Sequence, residues 1–293
     1  MTQERLGRQR EFVRFWTADT VSPAGTHVTT LALKAVAVLT LGASATAAGL
    51  LESARWLPYL LFGLVAGVLV DRRRRLPLLV ATDFARAAVL VLIPVPAFTG
   101  ALTVPLLAAV VVVFGTLSLF HDAAHQSFLP RLVPAAQLTD ANARLEQTRS
   151  AAQGVGPLVG GALVGGALVG GALVKFVGGP AAFLVDALSY LVSALVLARL
   201  RTVEPEPVPA RRDLRGEIRD GMRWVYRHRV LRPLALATHA WFFCSAMVGA
   251  VYTVFVLDTL AFDAFAFGVT FAVGGVVAQA VAITCSPVRG AWL

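Results

Sequence analysis

The chain has 293 residues, 57% of them hydrophobic and only 15% charged, with a mean hydropathy of +0.72. Soluble domains are about half apolar and about a quarter charged, so this composition excludes an ordinary water-soluble domain and makes lipid the solvent for most of the chain. Two cysteines, Cys244 and Cys285, exclude a disulfide framework or a cysteine metal cluster, and the net charge of +9 takes its meaning from where the arginines fall.

A membrane helix needs about 20 mostly apolar residues. That criterion predicts spans over 17–39, 48–70, 76–97, 101–121, 141–165, 180–199, 233–257 and 265–285. The first is the weakest of these, because it holds Asp19, His27 and Lys34. No compact apolar core and cleavage site follow the first arginines, so this span is expected to stay as an uncleaved anchor.

Arg5, Arg8, Arg10 and Arg14 precede the first span, and four arginines at 72–75 separate the second from the third. Arg131, Arg144 and Arg149 flank the connection between the fourth and fifth, and ten arginines lie over 199–232, after the sixth. The connections at 40–47 and 98–100 carry no charge, and 175–179 carries only Lys175. Every second connection is basic, which predicts a multi-pass protein of the cytoplasmic (inner) membrane with its N-terminus in the cytoplasm. The positive charge is then a topology signal, and a nucleic-acid partner is not expected.

The basic connection after the sixth span opens on the proline-rich "EPEPVPA" (204–210), which favours an extended chain. Leu214, Ile218, Met222 and Val225 then recur at helical spacing, with Arg215, Arg219 and Arg223 off that stripe. This is either an amphipathic helix held on anionic membrane lipid or a solvated linker. The predicted organisation is a six-span bundle over 1–200, a basic linker over 201–232 and further spans over 233–293.

Charged residues at lipid depth include Asp19, Glu52, Arg55, Asp83, Arg86 and Asp186. Such residues are costly there, and they either hold helices together or serve function. Glu52–Arg55 and Asp83–Arg86 are spaced i,i+3, on one helix face where each pair can meet. Asp19 and Asp186 are the candidate proton carriers. His121 and His125 share a helix face beside Asp122, but a metal site needs a third or fourth ligand that the sequence does not supply. No metal, cofactor or enzyme activity is expected, since no nucleophile–base pair or phosphate loop is spaced for chemistry.

"GGALVGGALVGGALV" (160–174) repeats a five-residue unit three times. Each step turns a helix by about 140° beyond one full turn, so the glycine pairs fall on different faces. One helix over 141–177 would run about 55 Å against roughly 30 Å of hydrocarbon, and a break or projection is expected near 165–171.

Several of these stretches resemble the major facilitator superfamily. "GVLVDRRRR" (67–75) is similar to its signature between the second and third spans. The resemblance makes Gly67 a close-approach residue, and makes Asp71, Arg72 and Arg75 a cytoplasmic latch that holds the outward-open state. "DFARA" (83–87) adds Asp83 and Arg86. "FLPRLVPAAQLTDANARLEQTRSAAQGVGPLVGG" (128–161) resembles the enterobactin-exporter and macrolide-efflux branch, and within it Gly156, Pro157, Gly160 and Gly161 match the antiporter motif. Read without the resemblance, those glycines are a packing face. "AAFLVDALSYL" (181–191) and "GMRWVYRHRVLRPL" (221–234) also look like this branch, which often carries an acid near the positions of Thr26 and His27, where this chain has none.

The resemblance implies an all-α membrane fold: a complete N-terminal six-helix bundle and the first two helices of a second. It implies export of a small drug-like or siderophore-like molecule by alternating access, with protons as coupling ion. The family has twelve spans, and "CSPVRGAWL" (285–293) does not look like the second copy of the Gly-Asp-Arg signature that follows the eighth. A truncated, non-transporting remnant, or a subunit that takes its missing spans from a partner, is the alternative expectation.

Overall fold

Apolar runs separated by short turns become nine α-helices in the computed structural model, which describes residues 6–165, 174–202, 204, 214–263, 265–270 and 273. They are α1 (Arg10–Ala35), α2 (Ala45–Asp71), α3 (Arg75–Val91), the short α4 (Pro94–Phe98), α5 (Val104–Leu132), α6 (Leu138–Gly165), α7 (Val174–Leu197), α8 (Leu214–Arg227) and α9 (Leu231–Val254). α1 and α9 each run on into a wider π turn, at Val36–Thr40 and Phe255–Thr259. There is no strand among the described residues.

Local chemistry sets the ends. Ser44 caps α2 by accepting from the Ala47 amide at 3.3 Å, and Thr103 is the N-cap of α5. Gly42 (φ +60°) and Gly100 (φ +72°) take the left-handed conformation in the turns ahead of those caps. The third expected span divides into α3 and α4 at Leu92–Ile93, because Pro94 has no N–H to continue the ladder. α2 bends by 62° between Gly63 and Val65.

α1 starts at Arg10 and α5 ends at Leu132, both well beyond the apolar runs that predict spans over 17–39 and 101–121. The extra turns bury Phe12, Phe15, His125, Phe128 and Leu129 while Arg10, Asp122, Gln126 and Arg131 stay exposed, so the helix continues on a buried stripe where mean hydropathy falls. Among the described residues, length and composition qualify Arg75–Phe98, Val104–Leu132 and Leu231–Thr259 as spans, with bent α2 as a fourth. α1 is long enough but buries Asp19, Ser22 and Thr29. The apolar part of α7 that qualifies on hydropathy is the shorter Ala182–Leu197. Residues 265–270 continue the expected eighth span as helix, and nearly all of the remainder lies outside the described residues. The predicted break near 165–171 likewise falls almost wholly on 166–173, outside them.

α1 packs on α6 and α7, α3 on α5 and α7, and α2 on α5. Glycine permits two of these contacts. A Cβ at Gly25 would collide with Ser189 and Asp186 of α7, and one at Gly115 would collide with the Arg55 carbonyl of α2. A Cβ at Gly67 meets open space, so the close approach expected there is not made among the described residues.

The core forms two apolar layers. One, at the end bearing the four arginines, holds Phe12, Phe15, Val70, Leu79, Phe128, Leu145 and Leu197. The other holds Val28, Leu33, Leu51, Leu90, Leu107, Phe114 and Phe183. Between them lie buried Asp19, Asp83, Arg86, His121, His125 and Ser193. The outward faces are apolar, with Leu60 80% exposed and Trp241 71% exposed, an arrangement suited to lipid and not to water.

Candidate functional site

The polar layer begins on α1. Pro23 removes the helix N–H that would bond the Asp19 carbonyl one turn earlier, which loosens the backbone ladder beside the acid. Asp19 Oδ1 lies 2.9 Å from an Arg149 guanidinium nitrogen of α6 and 2.7 Å from His125 Nε2 of α5. Phe15 stacks on the His125 ring at 4.7 Å. One carboxylate thus ties three helices, with a cation on one side and an imidazole on the other.

A second knot joins α3, α5 and α7. Asp83 pairs with Arg86 on its own helix, as the i,i+3 spacing predicts. Its other oxygen accepts from Ser193 Oγ at 2.6 Å, and His121 Nδ1 stands 3.3 Å from Oδ1. Arg86 also lies over the Tyr190 ring, 4.2 Å from its centroid, and Tyr190 shares a hydrogen bond of 2.7 Å with Thr26 of α1. All of Asp83, Arg86 and Tyr190 are buried. His121 and His125 therefore serve as partners of two acids, and no group able to hold a metal ion occurs among the described residues.

Both knots border a cavity of about 300 Å³. It is walled by Asp19 and His27 of α1, Arg55, Trp56 and Tyr59 of α2, Arg86 of α3, His121, Asp122 and Gln126 of α5, Arg149 of α6, and Tyr190 and Ser193 of α7. The volume stands at the lower end of the range of small-molecule sites, about 300–1,000 Å³. Tyr59 donates to Asp122 at 2.6 Å, and Arg55 donates to Thr30 Oγ1 at 2.6 Å. Arg55, Arg86 and Arg149 and the carboxylates of Asp19, Asp83 and Asp122 stand in and behind this wall in equal number, with Arg86 and Arg149 in ion-pair contact and Arg55 not.

Arg55 does not pair with Glu52, as their spacing suggested. Glu52 meets Lys34 of α1 at 3.6 Å and accepts from Trp56 Nε1 at 3.3 Å, turning away from its helix neighbour. Asp186 is fully buried on α7, against the backbone of α1 at Gly25, and its Oδ1 accepts from Ser189 Oγ at 3.0 Å. Asp19 borders the cavity and Asp186 does not.

The arginine-rich end carries separate ties. Asp71 Oδ1 accepts from Arg75 at 3.1 Å, and its side chain is otherwise 69% exposed. Arg72 is the C-cap of α2. The backbone amides of Arg75 and Leu76 donate to the two carboxylate oxygens of Glu204, at 2.8 and 2.6 Å. Glu204 thereby caps α3 from across the bundle, although the sequence places it in a stretch read only as extended. The Arg201 amide donates to Glu11 at 2.9 Å, and Arg14 donates to the Arg199 carbonyl at 2.9 Å. Gly156, Pro157, Gly160 and Gly161 lie within helical α6.

Apolar-faced helices around a polar cavity lined by charged side chains define a multi-pass membrane protein with an internal polar site. A family model described as a transmembrane secretion effector matches residues 7–291, and the chain belongs to that family of the major facilitator superfamily. The chain is similar to the multidrug efflux pump Tap of Mycobacterium tuberculosis (strain ATCC 25618 / H37Rv), 28% identical over 204 residues, which are 66% of this chain and 46% of the relative. It is also similar to macrolide efflux protein A of Streptococcus pyogenes, 23% identical over 212 residues, 69% of this chain and 48% of the relative. The chain spans about half the length of the curated relatives it matches.

Proposed function

We propose that this chain belongs to a secondary active exporter that moves a small drug-like or siderophore-like molecule outward across the cytoplasmic membrane by alternating access, with protons moving inward. The observation that carries this reading is the charge-lined cavity between the two apolar layers, reached by side chains from α1, α2, α3, α5, α6 and α7. Efflux by the named relatives supports the direction of movement.

In this reading the arginine-rich end faces the cytoplasm. Residues 1–200 are the six-span bundle, 201–232 a basic linker resting on anionic lipid through α8, and 233–293 the start of a second bundle. Asp71, with Gly67, Arg72 and Arg75, is one half of a latch whose other half lies beyond the described residues. Asp83 and Arg86 brace the latch helix from within. Gly156, Pro157, Gly160 and Gly161 form the antiporter motif. Asp19, which borders the cavity, is the first candidate proton carrier and Asp186 the second.

A second reading is a subunit that works only with a partner supplying further spans. It is favoured by the apolar face of α9, where Leu234, Trp241, Phe243 and Val251 are exposed among the described residues. One assay separates the two. The chain is expressed in a bacterium stripped of its own efflux pumps, alone and joined to the second half of the Mycobacterium relative, and accumulation of a cationic probe, ethidium, and an anionic one, 2-naphthoate, is followed. The exporter reading expects lowered accumulation of either probe that a protonophore restores. Lowering only in the joined form selects the partner-dependent reading, and unchanged accumulation of both probes in both forms refutes export.

A further inference from the structure

The cavity's three arginines are not equivalent. Arg86 is paired with Asp83 and Arg149 with Asp19. Arg55 has no carboxylate within ion-pair distance among the described residues, and its hydrogen-bond partner is a neutral hydroxyl, Thr30 Oγ1, at 2.6 Å. Thr30 is itself fixed, because its hydroxyl donates to the Thr26 carbonyl at 2.8 Å. The guanidinium is thus held at one nitrogen, with most of its five N–H groups left over.

An unneutralised arginine at lipid depth is expensive, and such residues mark substrate or ion paths. Its surroundings suit one kind of ligand. Arg55 lies 5.7 Å from the Trp56 ring centroid, and Trp56 and Tyr59 stand with centroids 5.3 Å apart, both bordering the cavity. A guanidinium fork matches a carboxylate with two parallel hydrogen bonds, and the neighbouring rings offer a flat apolar surface for an aromatic group. Asp122, the other acid at this wall, already accepts from Tyr59.

We propose that Arg55 is the anchor for an aromatic carboxylate, taking the acid group on its guanidinium while the ring lies against Trp56 and Tyr59. This names a substrate class for the cavity and rests on the reading of the chain as a small-molecule carrier. Thr30 is a positioning residue, since it orients Arg55 without meeting the ligand.

The test is direct binding to the 293-residue chain in zwitterionic nanodiscs, by equilibrium dialysis against empty discs. The probes are 2-naphthoate, 2-naphthamide and 2-naphthylmethylammonium, which share a ring system and differ in charge. The wild-type chain is expected to hold the carboxylate about tenfold or more tightly than the amide, the scale of a charge-assisted pair, and the ammonium least. Arg55→Gln is expected to abolish the preference, and Arg55→Lys to keep part of it. No retention of naphthoate above empty discs, equal retention of acid and amide, tighter retention of the ammonium, or an unchanged preference in Arg55→Gln each overturns the proposal. The wild-type comparison stands even where a variant fails to fold. Carboxylate-selective binding without lowered accumulation of either ethidium or 2-naphthoate refutes export and leaves this site, whereas lowered ethidium accumulation without carboxylate selectivity refutes this site and leaves export.

Discussion

Replacing Asp83 tests whether the polar layer holds the bundle together. In Asp83→Asn the carboxylate charge disappears while the side chain keeps its size and its bond from Ser193 Oγ, now 2.6 Å. Arg86, only 4% exposed, keeps its charge and loses its pair. Removing one partner of a buried pair costs about 3–5 kcal/mol. The Tyr190 ring lies 4.2 Å from the guanidinium in wild type and variant alike, so the charge keeps one favourable contact and the loss falls at the low end of that range. A loss of about 3 kcal/mol is therefore expected. Asp83→Leu should lose about 1 kcal/mol more, because Ser193 is then left without its acceptor. Asp83→Leu combined with Arg86→Leu should recover much of the loss, since replacing both partners by apolar groups is often near neutral. Unfolding free energies from mixed-micelle denaturation of the wild type, Asp83→Leu, Arg86→Leu and the double variant give the coupling directly. A change below about 0.5 kcal/mol in Asp83→Asn, or additive effects in the double variant, would refute the reasoning.

Three other outcomes are expected. Gly25→Ala should destabilise by about 1–3 kcal/mol, the scale of overpacking, because its methyl meets Ser189 and Asp186, while Gly67→Ala should leave the melting temperature unchanged. Glu204→Ala should lose about 1 kcal/mol, the scale of an N-cap, and speed hydrogen exchange at the Arg75 and Leu76 amides; unchanged exchange would show that the cap is idle. Asp71→Asn, in the protein joined to a relative's second half, should abolish efflux while membrane insertion remains intact, and normal efflux would sink the latch assignment.

Apolar runs located the helices well because lipid-facing surface is a local property of sequence. They failed at the ends of α1 and α5, where exposed Arg10, Gln126 and Arg131 alternate with buried Phe12, Phe15, Phe128 and Leu129 and a hydropathy window averages the two faces. The Asp83–Arg86 pair was legible because both residues lie on one helix face. The same rule misassigned Glu52, since nothing in sequence ranks a neighbour one turn away against Lys34 of another helix. His121 and His125 stood out as a pair, but their partners, Asp83 and Asp19, are set by packing. Glu204 had no local signal: its prolines announce an extended chain and say nothing of which helix end the carboxylate will reach.

The ties at the arginine-rich end have a mechanical consequence. Glu204 clamps the start of α3, while Arg201 and Arg199 are pinned to Glu11 and Arg14 of α1. The stretch leaving α7 therefore works as a bracket bolted to two neighbouring helices. A tug transmitted along the chain from α8 is spread over α1, α3 and α7 together, and these three respond as one lever before any of them can turn alone.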